Sequence, residues 1–274
     1  MRFKSIIKSF IPPILISGIR SLKQMGSQKK EELLYCPICT NKVSKFVRLD
    51  DYFFKNLDEY QYVHSIFMGE TLNILDYSCP NCFSSDRARL YAIYLKQHFQ
   101  KNYTNAKTIN FLDIAPDRNL ASWLKKQYQI NYRSVDLFME DVDDKADLTD
   151  LSIYSDNSFD FILCSHVLEH VPEDRKAISE LYRILKVGGY GIVMVPILLN
   201  LDHDIEDPNF DTPEKRWKYY GQDDHVRMYS KNGFISKLSE AGFKVNNLGI
   251  DYFGAETFLK NGIHPRSVLY VVEK

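Results

Sequence analysis

Four of the five cysteines form two C-x-x-C pairs, Cys36 with Cys39 and Cys79 with Cys82. Four thiolates can close a tetrahedral site around one zinc ion, and the proline inside each pair favours the tight turn that brings two sulfurs together. The 39 residues between the pairs exceed the commonest spacing of zinc-binding modules. A disulfide framework would need an oxidising compartment, and a redox-active C-x-x-C typically occurs once. The spacing therefore predicts a structural zinc site, whereas Cys164, inside an apolar run, is predicted to be a small buried side chain.

A second set of polar residues follows the predicted strands of an alternating α/β pattern. Asp113, Asp136 and Ser165–His166 each end an apolar stretch, and Asp147–Leu148 lies in the connection after Asp136. In an open α/β sheet, ligands bind beside the carboxyl ends of the strands, where the strand order reverses. Asp136 is placed to accept hydrogen bonds from two ribose hydroxyls. The pattern indicates a site for an adenosine-containing cofactor, although each carboxylate taken alone could equally cap a helix or lie in a solvated loop.

The long connection over residues 198–229 supplies candidates for a catalytic base. His225 is the favoured base, with Asp224 or Asp223 as the residue that orients it, because this group directly precedes the next predicted helix. The alternative is that His225 and Arg227 are a helix-capping residue and a surface charge. Eight acidic side chains against four basic ones make this connection negative, which favours a neutral or cationic small acceptor over a nucleic acid.

His166, Glu169 and His170 also satisfy the H-x-x-E-H pattern of inverted zinc metalloproteases, with Glu240 as a conceivable downstream ligand. That metal site needs both histidines on one face of a helix. Here the motif begins directly after a predicted buried strand in an α/β series, so hydrolysis is disfavoured.

The elements that must position these residues alternate between strands and helices from Arg87 to the last residue. Strands are predicted over residues 108–114, 131–137, 159–165, 190–197, 244–253 and 267–274, and helices over 87–99, 119–128, 173–186 and 230–243. Such alternation predicts an α/β fold, doubly wound and mostly parallel, with helices on both faces of the sheet. Residues 31–86 precede it as a small zinc-ribbon-like module, whose aromatic-rich insert is expected to form a minor core.

The amino-acid composition excludes several classes of protein. Apolar residues make up 45% and charged residues 26% of the 274 residues, which excludes wholesale disorder and a disulfide-dense miniprotein. The net charge of −1 gives no sign of a polyanionic partner.

The first 30 residues differ from the rest in charge. Residues 1–30 hold seven basic side chains and no acidic ones, whereas the other residues carry 28 basic and 36 acidic side chains. The apolar stretch from Phe10 to Ile19 is too short for a membrane span, which takes about 20 residues. The composition predicts a basic apolar arm whose residues 1–24 lie on an anionic membrane surface. The alternative is an arm that packs on the body or stays mobile.

The segment lacks the small-x-small cleavage site of a secretion signal, so the predicted location is the cytoplasm, with contact at the inner membrane surface.

From about Arg87 onward, the chain resembles the class I S-adenosylmethionine-dependent methyltransferases. The resemblance rests on consecutive motifs: DIAPDRNL, SVDL, ADLTDL, FDFILCSHVLEHV and ELYRILKVGGYGIVMVP. It implies a Rossmann-like, doubly wound, mostly parallel sheet of seven strands over residues 87–274, with S-adenosyl-L-methionine as the cofactor. The module ahead of it is similar to the zinc ribbon of a subgroup associated with bacterial cell-surface glycan genes.

The same resemblance implies a role for each residue of the predicted cofactor site. The ribose would lie at Asp136 and Leu137, the adenine at Asp147 and Leu148, the methionine end at Asp113, Ala115 and Pro116, and the sulfonium at Ser165 and His166. The loop after the first strand departs from the glycine-rich loop of the family. Ala115 is its only small residue, and Pro116 and Asp117 take the glycine positions.

These observations leave three functions. The expected function is O-methylation of a small-molecule or glycan acceptor by in-line methyl transfer. The second is an RNA base methyltransferase that recognises RNA through its module, but residues 31–86 carry more acidic than basic side chains, which disfavours nucleic acid as a partner. The third is a non-catalytic scaffold that has kept the fold, which the glycine-poor loop permits.

Overall fold

A sheet of seven strands lies at the centre of the protein. The computed structural model describes residues 33–102, 108–127 and 130–274, and Leu34–Lys274 form one compact unit. In chain order the strands are β1 (Leu34–Tyr35), β2 (Lys42–Val43), β3 (Ile109–Ile114), β4 (Ile130–Asp136), β5 (Asp144–Lys145), β6 (Phe159–Ser165), β7 (Leu185–Met194), β8 (Lys244–Leu248) and β9 (Leu269–Glu273). The α-helices are α1 (Asp51–Glu59), α2 (Asp86–Asn102), α3 (Arg118–Leu124), α4 (Asp174–Ile184), α5 (Pro213–Tyr220), α6 (Lys231–Glu240), α7 (Ile250–Phe253) and α8 (Ala255–Lys260).

The strand order of the sheet is β5-β4-β3-β6-β7-β9-β8. All neighbouring strands run parallel except β9, which is antiparallel to both β7 and β8. In chain order, β4 and β5 extend the sheet on one side of β3. The later strands β6, β7, β8 and β9 extend it on the other side, so the direction reverses between β3 and β6. This reversal opens a crevice at the carboxyl ends of β3 and β6, the usual ligand site of such sheets.

Apolar residues explain why the central strands form there. The side chains of β6 are buried from Phe159 to Cys164, as expected of a parallel strand covered on both faces. Phe111 of β3 stacks on Phe161 of β6 with ring centroids 5.1 Å apart, and Phe99 of α2 packs edge-on against both rings. The predicted α/β class, the doubly wound arrangement and the seven strands are confirmed.

The structure differs from the sequence prediction mainly at the ends of elements. Helix α4 ends at Ile184, and the chain passes directly into β7 at Leu185, five residues before the predicted strand start. Strand β8 ends at Leu248 because Gly249 begins helix α7, which buries Phe253. A strand continued through Phe253 would leave that ring without its packing partner Phe258, whose centroid lies 5.7 Å away.

The cysteine-containing segment packs against the sheet domain through Arg89 of α2. The Arg89 guanidinium is fully buried, lies 3.8 Å from the centroid of the Phe46 ring and donates hydrogen bonds to backbone carbonyls on both sides. These carbonyls belong to Asp76, Tyr77, Ser84, Asn261 and Gly262. One side chain thus satisfies the backbone of two chain segments that are distant in sequence.

Within the described ranges, no helix has the length and apolar character needed to cross a membrane. The predicted arm of residues 1–30, with the membrane contact predicted for residues 1–24, lies outside the described residues and stays a prediction.

Candidate active site and cysteine cluster

The four cysteines Cys36, Cys39, Cys79 and Cys82 come together in one group, called here the cysteine cluster. Their ligand atoms all lie within 4.8 Å of one another, and the closest sulfur pairs are separated by 3.7 and 3.8 Å. Those distances are too long for a disulfide bond, which measures about 2.05 Å. A tetrahedron with zinc–sulfur bonds of about 2.3 Å has edges of about 3.8 Å, so the cluster fits a zinc ion.

The two C-x-x-C pairs of this cluster have the same local backbone. The residue after each pair, Thr40 or Phe83, has a left-handed φ near 60°. Its backbone N–H donates to the carbonyl of the first cysteine, at 2.8 Å for Thr40 and 2.9 Å for Phe83. The turn aims both sulfurs of a pair to one side. The Ser84 hydroxyl lies 3.3 Å from the Cys36 sulfur and 3.1 Å from the Cys82 sulfur, and it can donate to a thiolate.

A cavity of about 630 Å³, called here the cofactor cleft, opens at the carboxyl ends of the central strands. Six residues of the predicted cofactor site line it: Ala115, Asp136, Leu137, Asp147, Leu148 and His166. These side chains come from the end of β4 and from the residues that follow β3, β4, β5 and β6, as the topology requires. The volume lies within the usual range for small-molecule sites, about 300–1,000 Å³.

Asp136 has a fixed orientation in the cofactor cleft. Its Oδ1 accepts hydrogen bonds from the backbone N–H groups of Phe138 and Met139, both at 2.7 Å. The hydrogen bonds recorded among the described residues use only that oxygen, so Oδ2 is left for a ligand. The adjacent Phe138 ring is 81% exposed and also lines the cleft. Sequence reasoning missed Phe138, although an aromatic residue just after the acidic strand end could have indicated an apolar wall for a purine.

Ala115 takes the conformation that a glycine would ordinarily supply. Its φ is +50°, in the left-handed region, and its backbone N–H donates to the carbonyl of Val135 at 2.9 Å. Asp117, at another glycine position of the family pattern, caps α3 by accepting from the N–H groups of Asn119 and Leu120. The loop therefore keeps its shape without glycine, and the cleft beside it stays open.

Three residues of the predicted cofactor site do not line this cleft. Pro116, in the loop after β3, is buried. Asp113 and Ser165 line a smaller adjoining cavity of about 100 Å³, which also borders Ala115 and His166. Burial raises the pKa of Asp113 to about 7, despite the hydrogen bond that its Oδ2 accepts from Tyr132.

A further cavity of about 300 Å³, called here the acceptor cavity, adjoins the cofactor cleft. One wall comes from the insert, residues 40–78 between the cysteine pairs, and includes Phe53, Tyr62 and Glu70. The other wall comes from the connection over residues 198–229, whose helix α5 packs against α1. His166 and His170 border both cavities, so the two spaces meet at these side chains. Sequence reasoning did not predict the wall from the insert, whose aromatic content was the available signal.

The predicted catalytic group is only partly assembled. His225 is 2% exposed and lines the acceptor cavity, and burial lowers its pKa, so the imidazole is neutral at pH 7. Asp224, however, does not orient His225. Its Oδ2 lies 3.2 Å from Nδ1 of His170. Asp223 is exposed, and its backbone carbonyl accepts from Arg216 at 3.5 Å. The predicted pairing of His225 with Asp224 is therefore replaced by a pairing of Asp224 with His170.

Glu169 is the buried centre of this polar group. It is 1% exposed, and Nδ1 of His166 lies 3.1 Å from its Oε1. Burial raises the pKa of Glu169, but the electrostatic influence of His166, His225 and His170 outweighs it and holds the pKa below its ordinary value. Burial and the neighbouring Arg87 lower the pKa of His166 to about 4. Glu169 therefore favours the carboxylate form, whereas burial favours the neutral form of His166 and His225.

The H-x-x-E-H motif does not form a protease-type helix. His166 has a left-handed φ of 58°, and Leu168–His170 form a single 3-10 turn instead of an α-helix. Glu240 is exposed and pairs with Arg175 on the surface. The third side chain beside Glu169 and His170 is His225. The motif therefore does not have the helical arrangement of a metalloprotease site, although two of its residues, Glu169 and His170, lie close together.

Residues 97–193 match the family model described as a methyltransferase domain. The matched range contains β3 to β6, all but the last residue of β7, and most of the cofactor cleft. This match supports the prediction of a methyltransferase domain, and the sheet that the matched range contributes to is doubly wound and mostly parallel. The cysteine cluster, the insert and the connection lie outside the matched range, so the acceptor cavity is built largely from parts that the family model does not cover.

Several known proteins are similar to this chain. The uncharacterized protein YafE of Escherichia coli is 31% identical over 98 residues, which are 36% of this chain. The chain spans less than half the length of that relative, 44%. A SAM-dependent methyltransferase from Archaeoglobus fulgidus is 17% identical, with 82% of this chain and 100% of that chain covered and a TM-score of 0.44. The CurJ carbon methyltransferase is 15% identical, with 68% and 53% covered and a TM-score of 0.45.

Proposed function

We propose that the protein is an S-adenosylmethionine-dependent methyltransferase that methylates a hydroxyl group of a small molecule or a glycan. The observation that carries the proposal is the meeting of the cofactor cleft and the acceptor cavity at His166 and His170. A cofactor in one cavity and an acceptor in the other would touch only there. In-line transfer needs this arrangement, because the nucleophile, the methyl carbon and the sulfur must align.

The cofactor would supply an activated methyl group, and the cleft fits its parts. Oδ2 of Asp136 is left to accept from the ribose hydroxyls, and Leu137, Phe138 and Leu148 offer apolar contact to the adenine. Asp147 is held beside them, because its Oδ1 accepts from the backbone and the hydroxyl of Thr149. Ala115 borders both the cleft and the adjoining small cavity, which suits the methionine end.

In the proposed reaction, the acceptor oxygen forms a bond to the methyl carbon as the carbon–sulfur bond breaks. The bonding electron pair goes to sulfur, and the hydroxyl proton passes to a general base, for which His225 is the predicted residue. Glu169, His170 and His225 form the polar group nearest to the meeting point, and His225, the predicted base, is one of them.

The acceptor cavity favours a small neutral acceptor. Its volume of about 300 Å³ is at the low end for ligand sites. Phe53 and Tyr62 offer ring faces, and the ionisable lining combines Glu70 and Glu169 with Arg87, His166, His170 and His225. A sugar hydroxyl fits this combination, which together with the family resemblance supports a glycan or a small sugar-like acceptor. The connection over residues 198–229 has eight acidic and four basic side chains, which disfavours the RNA alternative.

We also infer that the cysteine cluster holds a structural Zn²⁺ ion that fixes both ends of the insert and hence one wall of the acceptor cavity. Four sulfur ligands leave no open coordination position, so this ion would not take part in the reaction.

The variant Asp136→Asn tests the cofactor assignment. We expect the affinity for S-adenosylmethionine and for its demethylated product to fall by about 10–100-fold, because hydrogen bonds to a charged acceptor contribute about 1.5–3 kcal/mol. Isothermal titration calorimetry measures this, and Asp141→Asn, an exposed carboxylate on the same loop, is the matched control.

The same titration first shows whether the wild type binds the cofactor. If the zinc-loaded wild type gives no heat with millimolar cofactor, the catalytic assignment is wrong and the scaffold alternative stands. Where binding is found, incubation of cell extract and of hydrolysed surface glycan with methyl-labelled cofactor identifies the acceptor class.

A further inference from the structure

Three side chains at the meeting point of the two cavities form a second group of potential metal ligands. Glu169, His170 and His225 each offer one ligand atom, and these atoms lie within 4.8 Å of one another. The carboxylate and His225 are nearly inaccessible, at 1% and 2% exposure. His170 is partly open and borders both cavities.

The buried atoms of this group lack hydrogen-bond partners. Neither carboxylate oxygen of Glu169 makes a hydrogen bond among the described residues, and the same is true of Nδ1 of His225. A buried carboxylate left in this state is costly, and proteins compensate such groups by pairing or by metal coordination. Nδ1 of His166 lies 3.1 Å from Oε1, and the Arg87 guanidinium interacts electrostatically with the carboxylate, but neither contact gives an oxygen of Glu169 a hydrogen bond.

Both histidines of the group are anchored through one ring nitrogen and have the other directed inward. Nδ1 of His170 lies 3.2 Å from Oδ2 of Asp224, while its Nε2 lies 4.0 Å from Oε1 of Glu169. His225 is held by a hydrogen bond to the backbone of Tyr220, while its Nδ1 is unpartnered. A carboxylate or a carbonyl behind the imidazole is the arrangement that orients metal-binding histidines.

We propose that Glu169, His170 and His225 bind a divalent transition-metal cation whose open coordination positions face the acceptor cavity. Two imidazoles and one carboxylate suit Zn²⁺, Mn²⁺, Co²⁺ or Fe²⁺, and three protein ligands leave room for water or substrate. Glu169 and Asp224, whose carboxylate contacts His170, are the acidic side chains of the site, and the Arg87 guanidinium also lines the acceptor cavity.

The role of the cation rests on the proposed function. An acceptor hydroxyl bound to the cation becomes more acidic, so its proton is lost to water in the cavity and its oxygen attacks the methyl carbon. The carbon–sulfur bond breaks, its electron pair goes to sulfur, and the oxidation state of the metal does not change. His225 is then a metal ligand and not the base that the sequence predicts.

Titration with Mn²⁺ tests the site without any methyl transfer. The zinc-loaded protein is titrated while the electron paramagnetic resonance signal of free Mn²⁺ is followed, because that signal is lost on binding. We expect one Mn²⁺ per chain for the wild type, and binding at least 100-fold weaker for Glu169→Gln. Asp224→Asn should weaken binding by about 10-fold or more, as loss of an outer partner does.

Two matched variants control for charge and residue type. Asp223→Asn removes the neighbouring carboxylate that does not contact His170, and His203→Ala removes an exposed histidine of the same connection. Both should bind Mn²⁺ as the wild type does. All variants should retain one zinc ion per chain and the wild-type melting temperature, which shows that the fold and the cysteine cluster are intact.

The outcomes separate this inference from the proposed function. The site is overturned if the wild type binds no Mn²⁺, Co²⁺ or second Zn²⁺ at millimolar concentration, or if Glu169→Gln binds them equally well. Binding of Mn²⁺ without any binding of S-adenosylmethionine supports the site and overturns the proposed function. Methyl transfer that survives removal of labile metal by EDTA supports the methyltransferase and overturns the role of the cation.

Discussion

Asp113 is a carboxyl group in an unfavourable position at the end of β3. It is 1% exposed, and burial raises its pKa to about 7, although the Tyr132 hydroxyl donates to its Oδ2 at 2.8 Å. The folded protein therefore prefers the protonated form. Because the pKa in the folded state is above that of the unfolded chain, the favourable contribution is complete at low pH and is lost as the pH rises through about 7.

The variant Asp113→Asn should remove this pH dependence. Between pH 4 and pH 8 we expect the free energy of unfolding of the wild type to fall relative to that of the variant by about 2–4 kcal/mol. Urea denaturation at several pH values measures the difference, with Asp141→Asn, an exposed carboxylate, as the control. Parallel curves for Asp113→Asn and the wild type would show that Asp113 is ionised in the fold.

Left-handed backbone at two positions of the cofactor cleft is another residue-scale feature. Ala115 and His166 both have positive φ, and each follows the last residue of a central strand. Such conformations are costly for residues other than glycine and collect at functional sites. The glycine-poor loop left a non-catalytic scaffold as one of the three functions that the sequence allows. The structure shows that Ala115 reaches the same backbone conformation.

At the scale of elements, helix α2 joins the cysteine-containing segment to the last helices of the chain. Arg89 does this through hydrogen bonds to five backbone carbonyls, which come from residues 76–84 and from Asn261 and Gly262. A guanidinium has five N–H donors in a rigid plane, and lysine cannot reproduce that geometry.

Replacing Arg89 by lysine should therefore lower the free energy of unfolding by about 3–5 kcal/mol, because several buried carbonyls lose their donors. Chemical denaturation followed by circular dichroism measures the loss. Arg118→Lys, at an exposed position that begins α3, should change stability by less than about 0.5 kcal/mol. An equally small effect of Arg89→Lys would mean that water replaces the guanidinium.

The sequence was sufficient for the elements and their order but not for all of their ends. Apolar strands such as β3 and β6 are buried on both faces, so their hydrophobic pattern is continuous and easily recognised. The junction of α4 with β7 was misplaced because the helix ends without a spacer and the glycines at positions 188 and 189 lie inside the strand. Strand β8 ends early because Phe253 packs in the core, and no local sequence pattern indicates that packing.

At the scale of the whole molecule, the two halves of the candidate site differ in how far sequence could predict them. The cofactor half follows from topology, because parallel strands bring their carboxyl ends to one edge. The acceptor half depends on the insert, which lies far away in sequence. The contact of Asp224 with His170 was also hidden, since Asp224 adjoins His225 in the chain but faces a residue 54 positions earlier.

Loss of the cysteine cluster should affect these halves unequally. For Cys79→Ser we expect loss of bound zinc and a lower melting temperature. Amide hydrogen exchange should become faster over the insert and should change less in β3 to β7. Metal analysis, thermal unfolding and hydrogen-exchange mass spectrometry measure these effects. Cys164→Ala, in the buried strand β6, should keep its zinc. Full zinc content in Cys79→Ser would contradict a four-sulfur site.

The anchoring of the insert at both ends has an evolutionary consequence. A segment whose two ends are fixed at the same site can change its length and composition without moving the sheet to which it is attached. The lining of the cofactor cleft runs from Ile114 to Glu173 and adds Asp224, so it takes no residue from that segment. Transplanting residues 40–78 between homologues should therefore exchange acceptor preference while leaving nucleoside recognition intact.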